Sequence, residues 1–398
     1  MTRVVVTGIG VVTPIGSGRE TFWNGLLAGV SGIRPVTSFD TSAFRVHIGA
    51  EIPSFQSQAS TLGRTSQLAI AAARLALSDA ALEAERLDPG RTGVSIGTTS
   101  GEPLYIEAYN NIRKAEGVDA VPAEMMSRYP SHVIPVHIAM EFGLHGPCLT
   151  IPTACAAGNY AIGYGFDMIR TGRADRMLSG GADAFSRITY MGFAKLGAIA
   201  PDRCQPFDKD RKGMVPGEGA AILLLERLDK AKERNATIYA EVLGLGVSCD
   251  AHHMTAPDPS GEGAIRAMTA AMKESNIARE DVDYISAHGT GTLSNDRVES
   301  LAVSTLFGSR ARRIPMSSIK SMLGHTMGAA SALEAAACSL ALSTGWVPPT
   351  INLENPDPEW GLDYVPNKAR RIYPRIVLNN AYAFGGNNAS LCLARYGD

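Results

Sequence analysis

The sequence is short of charge, of aromatic side chains and of any surplus of one sign. Only 19% of its 398 residues are charged and 7% are aromatic. Lys and Arg number 37 against 39 Asp and Glu, a net charge of −2. That balance excludes a general nucleic-acid binder and a polybasic membrane-surface protein, so an acidic partner has to dock on a local patch. The six cysteines, at 148, 155, 204, 249, 338 and 392, contain no C-x-x-C pair. A zinc site and a disulfide framework are therefore not expected, and scattered thiols fit a reducing, cytoplasmic address. Long apolar runs are missing too. Val4 to Val6 is interrupted by Thr7, Gly8 and Gly10 with no small-residue cleavage site after it, unlike a secretory signal. The stretch 327–342 carries Ser331, Glu334 and Ser339, which makes it a core helix and not a membrane span.

What is present is an enzyme-sized chain, 45% hydrophobic, with 41 glycines. V-V-V-T-G-I-G-V-V (4–12) reads as a buried strand, 67–81 has the Ala/Leu spacing of a helix, and strands follow at 93–97, 177–180 and 220–226. This alternation is that of an α/β fold whose sheet is covered on both faces. After the Lys/Glu-rich stretch 229–235 the order restarts: strand 238–247, helix 262–275, strand 282–287, helix near 296–306, strand near 314–319, the Ala-rich helix, then two closing strands. The chain is read as duplicated βα halves, 1–235 and 236–398, with no repeat of identical residues.

The chemistry starts at I-P-T-A-C-A-A-G-N (151–159). A strand ends at Ile151, small residues surround Cys155, and a helix follows. The thiol then sits near unpaired N–H groups and the positive end of the helix dipole, which favour a thiolate. A single Cys is more often a small buried hydrophobe, so the case rests on its company. H-G-T-G-T (288–292) and S-S-I-K-S-M-L-G-H (317–325) each place a histidine, His288 and His325, just past a strand among glycines. One such histidine is usually structural; two at corresponding places invite a joint role. N-N-A-Y-A-F-G-G-N-N (379–388) adds a turn able to present a backbone N–H to an oxyanion. A hydrolase elbow is absent, since Thr153 and Ala157 stand where its glycines belong.

T-A-C-A, H-G-T-G-T, K-S-M-L-G-H and A-F-G-G-N-N, in this order across essentially the whole chain, resemble the β-ketoacyl-acyl-carrier-protein synthases. P-F-D-K-D-R-K-G-M-V-P-G-E-G-A (206–220) and N-P-D-P-E-W-G-L-D-Y-V-P-N (355–367) are similar to synthase II enzymes and to the ketosynthase α-subunits of type II polyketide synthases. H-G-T-G-T-L-S-N-D leans to the polyketide side, and the pathway stays open.

The resemblance implies a thiolase-like fold in an αβαβα layering and a decarboxylative condensation. Cys155 is then the nucleophile, and its N–H with that of Phe384 forms an oxyanion hole. His288 and His325 stabilise the enolate left when malonyl-carrier protein loses carbon dioxide. Lys320 orders the site, Glu299 pairs with it or binds a structural cation, and Asp296 is the adjacent acid; a buried salt-bridge network without direct chemistry is the other reading of these three. Phe384 gates the pocket, and Ala383, where the family has glycine, is expected to restrict that gate. Thr99 and Ser100 are the acyl-pocket candidates. Arg64, Lys195, Arg203 and Lys212 are the candidates for docking acyl carrier protein. No metal or cofactor is expected, because the substrates ride on the carrier's phosphopantetheine arm. The partner in the assembly is expected to be a second copy or a chain-length factor. A thiolase would need a C-terminal Cys-x-Gly loop, which 379–392 lacks, and a noncatalytic chain-length factor typically lacks the nucleophile.

Overall fold

In the first half, the computed structural model, which describes residues 2–397 other than Ser54, Gln58 and Ser60, places β1 (Val4–Thr13), α1 (Arg64–Asp79), β2 (Thr92–Gly97), α2 (Val133–Phe142), β3 (Cys148–Ile151), α3 (Ala157–Arg170), β4 (Arg176–Asp183) and β5 (Gly219–Arg227). The second half supplies β6 (Ala240–Cys249), α4 (Glu262–Glu274), β7 (Tyr284–Ser286), α5 (Leu293–Phe307), β8 (Met316–Ser317), α6 (Ala330–Thr344), β9 (Ile376–Tyr382) and β10 (Asn387–Ala394). Every residue of β1 is buried, Thr7 and the two glycines included, as expected of a strand covered on both faces. α1 ends at Asp79, two residues before the expected end, because Ala81 turns left-handed at φ 49°.

The main sheet runs β8-β7-β9-β10-β6-β1-β5-β4-β2-β3. In the first half β1 pairs antiparallel with β5, β5 antiparallel with β4, β4 parallel with β2, and β2 parallel with β3. In the second half β6, β10, β9, β7 and β8 repeat the same order and the same directions. The duplication invisible as residue identity is thus explicit in the pairing. The halves meet where Val4–Val6 pair with 240–242, and position 235 lies between the helix Leu228–Glu233 and β6.

α3 and α6 form the central layer and touch strands of both halves, while α1 covers the first half from outside and α4 the second. α6 is buried from Ala330 to Leu342, the property of a helix that is apolar all round. It lies close to α3 because Gly158 has no side chain; a Cβ there would stand 2.5 Å from the Ala332 nitrogen. Among the described residues no helix is long and apolar enough to cross a membrane.

Candidate active site

The parallel strands β2, β3, β7 and β8 carry their loops at their C-terminal ends, where open α/β sheets bind ligands. After β3, Ala154 takes φ 48° and a 3₁₀ turn, Ala154–Ala156, delivers Cys155 to the first turn of α3. His288 follows β7, and His325 follows β8 and the short helix Lys320–Leu323. The segment Val215–Gly217 clamps His325: its N–H donates to the Val215 carbonyl at 2.6 Å, and its carbonyl accepts the Gly217 N–H at 2.9 Å. The three side chains line one cavity of about 370 Å³, a size suited to a small-molecule site. Sγ of Cys155 and one ring nitrogen of each histidine lie within 4.8 Å of one another.

The tautomers follow from the hydrogen bonds. Nδ1 of His325 accepts the Met327 N–H at 3.1 Å, and Nδ1 of His288 lies 3.3 Å from the Lys320 ammonium, which can only donate. Each imidazole therefore carries its proton on Nε2 and offers the cavity an N–H. Burial first, then the Lys320 charge, holds both well below the ordinary histidine range. Two neutral donors beside an ammonium suit a developing oxyanion; a cation would meet N–H groups and like charge.

Around Cys155 the forces oppose each other. Burial pushes the thiol up to about 11, while the Lys320 charge and the backbone N–H groups of Phe384 and of Cys155 itself pull it down. The thiolate expected from the helix dipole is thus overridden by desolvation in the resting site. Backbone N–H groups beside the sulfur are the kind of donor that an oxyanion hole requires.

Several assignments change with the structure. Lys320 pairs with Glu334, not Glu299, and its ammonium also donates to the His288 carbonyl at 2.6 Å. Glu299 instead accepts the N–H groups of His288 and Gly289, each at 2.8 Å, and burial pushes its carboxyl up to about 8. Asp296 accepts from Phe207 and Gly291 and faces Arg211, so it braces the histidine loop from behind. Thr99 and Ser100 are not among the residues lining the cavity; their N–H groups both bind Asp183. Arg64 is ion-paired with the buried Glu218, and Arg203 with the exposed Glu354. Lys195 and Lys212 are exposed, and Lys212 lines the cavity. Ala383 sits at φ −121° in ordinary extended backbone, and the left-handed turn falls on Gly385 at φ 82° and Gly386 at φ 74°, so alanine adds no strain. Phe384 is 38% exposed, and its ring rests on Phe193.

Glu334 was missed as a site residue. Its signal is a single carboxylate in an otherwise apolar, alanine-rich helix, which must find a buried cation. Asp183 gave no motif signal.

A thiolase-like fold with a buried cysteine and two neutral imidazoles in one cavity defines a condensing enzyme of the acyltransferase class. The model of the β-ketoacyl synthase N-terminal domain matches residues 1–231, and that of the C-terminal domain matches 239–354. The chain belongs to the β-ketoacyl synthase family. It is 40% identical to the 3-oxoacyl-acyl-carrier-protein synthase 2 of Synechocystis sp., over 99% of this chain and 98% of the relative. It is 41% identical to the tetracenomycin polyketide synthase ketoacyl synthase alpha subunit of Streptomyces glaucescens, over 99% and 97%. Among solved structures, the ishigamide ketosynthase/chain length factor superposes with a TM-score of 0.96 at 45% identity, covering 100% of both chains.

Proposed function

We propose that this chain joins an acyl group held on Cys155 to a malonyl unit, giving a 3-oxoacyl product on acyl carrier protein in fatty-acid or polyketide elongation. One observation carries the reading: two buried imidazoles, each fixed as the Nε2–H tautomer, share a cavity with the thiol. Cys155 attacks the acyl thioester, the N–H groups of Cys155 and Phe384 hold the oxyanion, and the leaving phosphopantetheine thiol takes the proton that Cys155 gives up. Malonyl-carrier protein then enters. Loss of carbon dioxide leaves an electron pair on the α-carbon and charge on the thioester oxygen, which the two Nε2–H groups stabilise by a few kcal/mol each. The carbanion attacks the acyl-enzyme carbonyl, the new C–C bond forms as the C–S bond to Cys155 breaks, and the expelled thiolate takes a proton from solvent. No cofactor takes part, because both substrates arrive as thioesters.

The carrier is acidic in this reading, and Lys212 on the cavity wall with exposed Lys195 is the local cationic patch that receives it. Scattered thiols support a cytoplasmic site of action. The test is acylation by acyl-carrier protein followed by malonyl-carrier protein, read by intact-protein mass spectrometry and product analysis. Wild type, Cys148→Ala and Cys338→Ala are expected to carry the acyl adduct and make the 3-oxoacyl product; Cys155→Ala is expected to do neither. An adduct persisting on Cys155→Ala removes the nucleophile from the scheme.

A further inference from the structure

The carboxylate of Asp183, at the end of β4, is fully buried and belongs to none of the groups that touch substrate in this scheme. It accepts four hydrogen bonds, two on each oxygen. Oδ1 takes the Thr98 hydroxyl and the Ser100 N–H, both at 2.9 Å; Oδ2 takes the Thr99 N–H and the Gly328 N–H, both at 2.7 Å. Three of these donors lie in the loop after β2. The fourth lies in the other half of the molecule, three residues past His325.

That fourth bond bears on the chemistry. Met327 adopts φ 53°, a conformation a methionine rarely takes, and in it donates its N–H to Nδ1 of His325 at 3.1 Å. The turn Met327–Ala329 has to be held in that form, and the Gly328 N–H seated on Asp183 holds it. The same turn touches the turn Ala154–Ala156 that carries Cys155. We propose that Asp183 is a positioning residue for the condensation: through Gly328 it fixes the Met327 turn, so that His325 keeps its proton on Nε2 and faces the Cys155 turn in register. A backbone N–H donated to Nδ1 forbids the Nδ1–H tautomer, and the buried carboxylate is what keeps that donor in place. The inference rests on His325 acting as an N–H donor to the enolate.

The variants differ in which bonds they leave. Asp183→Ala removes all four. Asp183→Asn can turn its amide oxygen toward Thr99 and Gly328, and so keeps the bond that matters here. Thr98→Val removes the hydroxyl's bond to Asp183 and the one it accepts from the Gly101 N–H, and leaves the Gly328 bond in place. Three quantities are read on each: single-turnover acylation, labelled carbon dioxide release from malonyl-carrier protein, and the ¹⁵N signals of His325. Asp183→Ala is expected to release carbon dioxide at least about a hundredfold more slowly, the loss typical of one preorganised donor, with a mixed His325 tautomer and acylation within about tenfold of wild type. Asp183→Asn and Thr98→Val are expected to keep the Nε2–H tautomer and to decarboxylate within about tenfold of wild type. If Asp183→Ala keeps both tautomer and decarboxylation, or loses acylation and decarboxylation equally with the tautomer intact, the proposal is overturned. Should Asp183→Ala not fold, the Gly328 amide of the wild-type protein decides: it is expected to exchange with the slow amides of the core strands, and exchange at the rate of a surface loop overturns the proposal. His325→Ala in the same assay separates the two levels. Wild-type carbon dioxide release from that variant removes the enolate role, whereas the tautomer readout on Asp183 stands independently of it.

Discussion

At the scale of single residues the site sets two groups against their ordinary acid–base behaviour, and both make predictions. Cys155 is a thiol pushed up to about 11 by burial. Its thiolate fraction, and with it the rate of alkylation by iodoacetamide, is expected to rise about tenfold per pH unit from pH 7 to 10; a rate already flat below pH 8 would show a thiolate activated at rest. The histidines are displaced the other way, well below the usual range, so both are neutral where an ordinary histidine titrates. Decarboxylation is therefore expected to show no break at the ordinary histidine pKa. His288→Ala and His325→Ala should each still be acylated, since a neutral imidazole supplies no cation to a thiolate, yet release carbon dioxide at least about a hundredfold more slowly. His325→Gln should be milder, as it keeps an N–H donor. Histidine variants that decarboxylate normally but cannot be acylated would instead make the histidines bases for the thiol. Cys155, His288 and His325 were legible in the sequence because each follows a strand at a small-residue turn. Glu334 was not, since only the crossing of α6 beneath the His288 loop shows which carboxylate meets Lys320. Thr99 and Ser100 misled because their small polar side chains drew attention, whereas their backbone N–H groups carry the role.

At the scale of elements, the position of the nucleophile depends on how closely two buried helices approach. α3 begins two residues after Cys155, and at Gly158 its backbone lies against Ala332 of α6 with no room for a Cβ. A Gly158→Ala substitution cannot be absorbed by a flexible side chain, because the nearest atom is backbone. Such overpacking costs roughly 1–3 kcal/mol, and relief by separating the helices would move Cys155 away from His325. The expected outcome is a lower urea midpoint together with acylation slowed by about tenfold or more, read from the same preparations. Unchanged stability and acylation would mean that the helices part without consequence. The strands of this layer were the most legible elements, since doubly buried strands read as continuous apolar runs. Residues 103–142 were not, and the reason is physical: the helix Pro103–Glu116 and α2 leave Ile106, Val136 and Met140 exposed, so their apolar positions follow no pattern that the core of one chain explains.

At the scale of the whole molecule, those exposed residues and an open sheet edge point the same way. β3 closes the main sheet at one end, and Leu149 on it is 37% exposed. Close by in sequence, α2 exposes Val136 and, at 73%, Met140. An uncovered edge strand beside apolar side chains is a template for pairing with another chain, and β3 carries neither proline nor lysine to prevent it. A chain of the same fold offers a matching edge, so two sheets would continue across β3 and bury both apolar faces, with Cys155 four residues beyond the seam. The protein is therefore expected to sediment at about twice its chain mass of 42.1 kDa, either alone or when co-expressed with a chain-length factor. Leu149→Arg, which puts an unpaired charge into that seam, should return it to a single chain. Because the turn carrying the nucleophile follows directly from β3, condensation should fall with assembly and not independently of it. Analytical ultracentrifugation on wild type and Leu149→Arg, with activity measured on the same fractions, decides the matter: a wild-type chain that stays single under both conditions rules out pairing across β3.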